Sequence, residues 1–95
     1  MTQLVNVTLI GKPGCHLCDD ARLVVNTVLA EFKSAHTGVN ASVQVRLDEE
    51  DILQNELLFE KYSEEIPVLL INGKVHNYWR IDPVRLRDAL ENQVN

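Results

Sequence analysis

The chain has 95 residues, 45% of them hydrophobic and 24% charged, with a formal net charge of −5. That length fits one domain, residues 1–95, with enough apolar content to bury a core without disulfide staples. An acidic balance with no cluster of Lys or Arg argues against nucleic acid or an anionic membrane as partner, and no apolar run reaches the ~18–20 residues of a membrane span.

The opening MTQLVNVTLIGKPG has neither the basic stretch nor the small-residue cleavage site of a secretory signal, so a cytoplasmic location is expected. Leu4 to Ile10 is rich in Val, Leu, Ile and Thr and stops at Gly11-Lys12-Pro13-Gly14, the pattern of a buried strand followed by a turn. From Cys15 to about Ala35, the residues Leu17, Ala21, Val24, Val25, Val28, Leu29 and Phe32 recur at steps of three and four and predict a helix. Asp19 and Asp20 suit the positive end of its dipole, and His36-Thr37-Gly38 ends it.

Val43, Val45 and Leu47 alternate with polar residues and predict a half-exposed strand. Asp48 to Asp51 reads as the acidic cap region of a second helix over about 51–62, with Leu53, Leu57 and Leu58 as its apolar stripe. Pro67 to Ile71 is a third strand, and Asn72-Gly73 is a two-residue hairpin signal that returns the chain as Lys74 to Trp79. Asp82-Pro83 is a helix cap followed by Pro at the first helical position, with Val84, Leu86, Ala89 and Leu90 facing inward. The order β-α-β-α-β-β-α predicts an α/β fold: a four-stranded mixed sheet with a right-handed parallel crossover, an antiparallel hairpin and helices on both faces. His36 and His76 are expected at the surface, and Tyr78 and Trp79 are expected to pack at the sheet edge.

The chemistry concentrates in Cys15-His16-Leu17-Cys18, which holds both cysteines of the chain. A framework disulfide closes a long loop; this pair closes almost none, so its oxidation is not mainly about stability. Cys15 would lie at a helix N-terminus, where unpaired amides and the dipole favour an anion, so its thiol is expected to ionise below the usual ~8.5 and attack near neutral pH. Cys18, one turn in, is expected to stay covered and protonated until it resolves a mixed disulfide. Side chains three apart on a helix lie about 5–6 Å apart at Cβ, and a tightened first turn brings them to the ~3.8 Å of a disulfide. A protonated His16 would stabilise the thiolate, while Asp19 and Asp20 would oppose it.

Strand, Cys-x-x-Cys, helix, and Ile66-Pro67 before a strand together resemble the thioredoxin fold, a three-layer α/β/α arrangement. The length and the absence of an N-terminal strand-helix extension resemble glutaredoxin, closest to the small glutaredoxin-like proteins that carry Cys-His-Leu-Cys. The resemblance covers nearly the whole chain. It implies thiol–disulfide oxidoreductase activity on protein or low-molecular-weight disulfides, including mixed disulfides with glutathione. It also implies that Pro67 is cis and faces the cysteine pair, so that the Ile66 backbone can pair with a substrate chain. Glutathione would be a reductant; no cofactor or metal is implied, and a monomer is expected.

The glutathione pattern is matched only in part. Lys12 stands where glutaredoxins carry a basic residue, Glu65 replaces the Thr of a Thr-Val-Pro segment, and Lys74 to Asp82 lacks Gly-Gly. Asp82 stands near the acidic position, although a helix cap explains it. Two other readings of the cysteine pair stay open. It would hold a metal or iron–sulfur cluster only by adding ligands from a second chain or an outside thiol, or it would be unused in a protein-interaction module.

Overall fold

Alternate residues of the first strand divide two cores, and that division organises the molecule. In the computed structural model, which describes residues 3–36 and 43–93, β1 (Gln3–Gly11) sends Val5, Val7 and Leu9 into one cluster and Ile10 into another. It leads through a turn into α1 (His16–Ala35), then β2 (Val43–Asp51), a 3-10 turn at Ile52–Gln54, and α2 (Glu56–Tyr62). The hairpin of β3 (Val68–Ile71) and β4 (Lys74–Tyr78) follows, and α3 (Pro83–Asn92) closes the chain.

The sheet order is β2-β1-β3-β4, with β1 and β2 parallel and the other neighbours antiparallel. The larger core joins Val5, Val7, Leu9, Leu69 and Ile71 to Ala21, Val25, Val28, Leu29 and Phe32 of α1 and to Leu86 and Leu90 of α3. The smaller core, on the other side, joins Ile10 and Val68 to Ile52, Tyr62, Ile66 and Cys18. The α/β architecture expected from the element order is therefore the one observed. Turn chemistry also agrees: Asn72 has φ 51° and Gly73 φ 82°, the left-handed pair that a type I′ hairpin requires. Asp82 caps α3 by accepting from the amides of Val84 and Arg85 at 2.9 and 3.2 Å.

Several expectations are corrected. Asp48 to Asp51 is strand, not helix cap: β2 runs parallel to β1 in unbroken register as far as Gly11 opposite Asp51, so backbone pairing outweighs the acidic side chains. The second helix is shorter than expected and is interrupted. Asp51 caps only the 3-10 turn, and Asn55 restarts the chain as α2 by accepting from Leu57 and Leu58 at 3.1 Å. Its buried residues are Ile52 and Tyr62, whereas Leu53 and Leu57 are exposed. Val84 also faces solvent, because only Leu86, Leu90 and part of Ala89 reach α1 and the sheet.

The returning strand stops at Tyr78. An irregularity between Leu69 and Leu70 puts Asn77 opposite Leu69 but Val75 opposite Leu70, and Trp79 leaves the sheet with φ 64°. His76, expected at the surface, is half-buried, with Nε2 enclosed and, among the described residues, without a hydrogen-bond partner. His36 is also half-buried; it stacks on Phe32 with centroids 4.3 Å apart, and its Nε2 lies 3.2 Å from Glu91 Oε1. Helix α1 reaches Ala35, while Thr37 and Gly38 of the expected stop lie outside the described residues.

Candidate functional site

Cys15 is the N-cap of α1, in extended conformation at φ −99° and ψ 116°. Its carbonyl accepts from the amide of Asp19 at 3.0 Å, and its Sγ accepts from the amide of Cys18 at 3.2 Å. The sulfur thus does the work that Ser, Asp or Asn does at most helix starts. An N–H aimed at it stabilises negative charge there. Cys15 is partly exposed, Cys18 is 2% exposed, and both are free thiols.

Cys18 on α1 sits directly against Gly11 at the end of β1. A Cβ on Gly11 would lie 2.9 Å from Cys18 Sγ and 3.2 Å from its Cβ, so no larger residue fits without displacement. Burial, then the hydrogen bond with Cys15, pushes the Cys18 thiol up to about 11, against a smaller opposing effect of the Lys12 backbone. The charges of Cys15 and Asp19 act in the same upward direction. The pair is therefore unequal: one accessible sulfur with an amide donor, and one buried sulfur that holds its proton.

The other residues expected at the site are placed as follows. Ile66 is buried in the smaller core, against which Cys15 also packs, and Cys18 belongs to that core. Pro67 is fully buried, and the Ile66–Pro67 peptide is cis, as the resemblance implied. The Pro67 carbonyl accepts from the amide of Trp79 at 2.8 Å. Lys12 and His16 are exposed, Lys12 in the turn and His16 at the first helical position. Lys12, Cys18, Asp19, Glu49 and Asp51 line a hollow of about 410 Å³, bridged by Arg22, which pairs with Asp19 at 3.1 Å and Glu49 at 2.6 Å. Glu65 is exposed, and Asp82 is occupied as the cap of α3. Among the described residues, no group of three or more His, Cys, Asp or Glu is arranged to hold a metal ion.

Sequence reasoning missed three residues. Gly11 carried a signal, since a glycine ending an apolar strand often marks a close approach. Leu17 fits the helical stripe by its spacing, yet it also lines a groove with Tyr78, Trp79 and Arg80. Trp79, expected to pack, is 52% exposed; its ring meets Tyr78 edge-on at 5.1 Å, and its indole Nε1 donates to the Glu64 carbonyl at 3.2 Å.

A four-stranded mixed sheet flanked by helices, with Cys-x-x-Cys opening α1 and cis Pro67 before β3, defines the thioredoxin-like class. Residues 6–91 match the model of the Glutaredoxin-like domain (DUF836), and the chain belongs to that family. It is similar to the "Glutaredoxin-like protein YDR286C homolog" of Dictyostelium discoideum, 28% identical over 92% of this chain and 76% of the relative. It is also similar to the uncharacterized protein Rv0508 of Mycobacterium tuberculosis, 31% identical over 85% of this chain and 77% of the relative. Among solved structures, a structural-genomics target, XcR50 of X. campestris, superposes with a TM-score of 0.65 at 24% identity, covering 90% of this chain and 96% of the other. A malarial protein superposes with a TM-score of 0.66 at 14% identity over 98% and 100% of the two chains. These two likenesses carry the fold alone.

Proposed function

We propose that this chain is a thiol–disulfide oxidoreductase in which Cys15 attacks and Cys18 resolves. The observation that carries the reading is the inequality of the two sulfurs: Cys15 is accessible and accepts the Cys18 amide, while the Cys18 thiol is buried. In the reducing direction, the Cys15 thiolate attacks one sulfur of a substrate disulfide. A Cys15–substrate mixed disulfide forms, and the other substrate sulfur leaves as a thiolate that takes a proton from solvent. Cys18 then loses its proton and attacks Cys15 Sγ. The Cys15–Cys18 disulfide forms and the second substrate thiol is released. Two electrons pass from the pair to the substrate, and an external dithiol or two molecules of a monothiol such as glutathione restore the reduced state.

Ile66 and Pro67 would position the substrate chain, because Ile66 shares a cluster with both cysteines. Its backbone makes no hydrogen bond within the chain among the described residues, which leaves its N–H and C=O free to receive an extended peptide. Lys12 and His16, both exposed beside the pair, would tune the thiolate or meet a glutathione carboxylate. The substrates proposed are protein disulfides and mixed disulfides with glutathione, met by a monomer in the cytoplasm. No metal takes part, and neither nucleic acid nor membrane is a partner. No described helix is long and apolar enough to cross a membrane.

The test is a redox titration of the Cys15–Cys18 pair against glutathione and dithiothreitol buffers, read by mass after thiol trapping. A pair that closes and reopens within the range of the cytosolic thiol pool supports the reading. A pair that never closes, or never reopens, overturns it.

A further inference from the structure

A groove that the chemistry above does not use opens on Leu17, the residue that precedes Cys18 in the motif. Leu17, between the two cysteines, forms one wall; Tyr78, Trp79 and Arg80 form the other, around a hollow of about 440 Å³. A second hollow of about 250 Å³ continues it inward along Leu17, Asp20, Ala21 and Trp79 toward Ile81. The two share Leu17, Trp79 and Arg80, so the groove is continuous from the motif to the end of the hairpin.

Its aromatic wall is held in place. Trp79 has φ 64°, a backbone region that bulky residues seldom adopt. Its amide is tied to Pro67 and its indole to Glu64, which fixes the ring while half of it faces solvent. Tyr78 is 46% exposed beside it. Arg80 makes no ion pair among the described residues, although Asp20 lines the inner hollow. The outer groove therefore offers two aromatic faces, one aliphatic wall and one unpaired cation.

We infer that this groove is a substrate subsite, and that it selects polypeptide disulfides with a large apolar side chain beside the reacting cysteine and an acidic group next to it. The inference rests on the oxidoreductase reading, since a disulfide presented to Cys15 is what lays a flanking residue across Leu17. An aromatic or aliphatic side chain fills the groove against Trp79, and the neighbouring carboxylate meets Arg80. Glutathione brings carboxylates but no apolar side chain, so it leaves the aromatic wall uncovered.

The chain has a single tryptophan, which makes its fluorescence a direct reporter of the groove. Two blocked pentapeptides serve as probes, one with its cysteine flanked by phenylalanines and ending in glutamate, the other with glycines throughout. Each is supplied as a mixed disulfide with 2-mercaptoethanol, and oxidised glutathione is the third substrate. The expected kcat/KM for the phenylalanine peptide exceeds that for the glycine peptide at least tenfold, equivalent to about 1.4 kcal/mol, with glutathione grouping with glycine. In Trp79→Gly, which suits the left-handed backbone while removing the ring, that ratio falls toward one. Arg80→Glu also lowers that ratio, because the terminal glutamate of the phenylalanine peptide then meets a like charge. Trapped on Cys18→Ser, the phenylalanine peptide shifts tryptophan emission to shorter wavelength and the glycine peptide does not. Equal kcat/KM for both peptides in the unmodified protein, or an unshifted emission, overturns the subsite and leaves the oxidoreductase reading standing. Reduction of none of the three substrates overturns that reading and the subsite with it.

Discussion

Gly11 lies against Cys18 so closely that a single added carbon would sit 2.9 Å from the sulfur. The end of the first strand thereby sets how deeply the second cysteine is seated. Gly11→Ala is expected to destabilise the fold by about 1–3 kcal/mol, the usual cost of overpacking. The loss should shrink on a Cys18→Ala background, because the sulfur that clashes is gone. Urea unfolding of the four proteins in this cycle checks the coupling; strictly additive effects would show that the contact is not the cause.

The two cysteines should differ in reactivity. Iodoacetamide at pH 7 is expected to label Cys15 at least tenfold faster than Cys18, since one is accessible and the other is 2% exposed. Peptide mapping by mass gives both rates. Equal rates would remove the basis for assigning attack to Cys15.

Stability of the reduced protein should fall at high pH. The Cys18 thiol ionises near 11 in the folded chain, above its ordinary value of 9.0. Between those values the unfolded chain has lost a proton that the folded chain keeps, so stability is complete below about 9 and declines as pH rises toward 11. Unfolding midpoints from pH 8 to 11 should decline more steeply in the unmodified protein than in Cys18→Ser. Parallel curves would contradict the burial argument.

His76 works at the other end of the scale. Burial, then the positive charge of Arg85, lowers its pKa below the ordinary 6.5. The unfolded chain gains a proton there before the folded chain does, so this residue makes stability fall as pH drops through and below about 6.5. His76→Leu should flatten the pH dependence of urea midpoints from pH 7 to 5; an unchanged slope would point to other groups.

Asp82 decides between a cap and a ligand contact. It accepts two α3 amides, so Asp82→Ala is expected to cost about 1 kcal/mol and Asp82→Asn very little. If the cap is its whole role, Asp82→Asn also leaves glutathione turnover unaltered. A selective loss of turnover in Asp82→Asn, with stability intact, would assign it to glutathione after all.

The fold was legible where side-chain pattern and backbone partner agree. Val5, Val7 and Leu9 are alternate residues of a strand and share a core, and Asn72-Gly73 and Asp82-Pro83 carry turn and cap chemistry that depends on the local chain alone. Legibility failed where a distant strand decides. Glu49 and Glu50 look like the start of a helix until β1 supplies backbone partners for them. Leu57 satisfies helical spacing yet faces solvent, because α2 has only seven residues and anchors through Tyr62. The cysteine motif was visible from its spacing, but the seat that Gly11 makes for Cys18 and the standing of Trp79 beside Leu17 arise from contacts between residues far apart in the chain.

The acidic end of β2 has a further consequence. β2 is an outer strand of the sheet, and an outer strand presents unpaired backbone groups that can template the strand of another molecule. Asp48, Glu49, Glu50 and Asp51 run along that rim; Asp48 pairs with Arg46 and Glu49 with Arg22, while Glu50 and Asp51 make no ion pair among the described residues. Any second copy laying the same strand alongside in matching register would bring carboxylate against carboxylate. The same run that reads as a helix start in the sequence thus works against fibrous association at this edge.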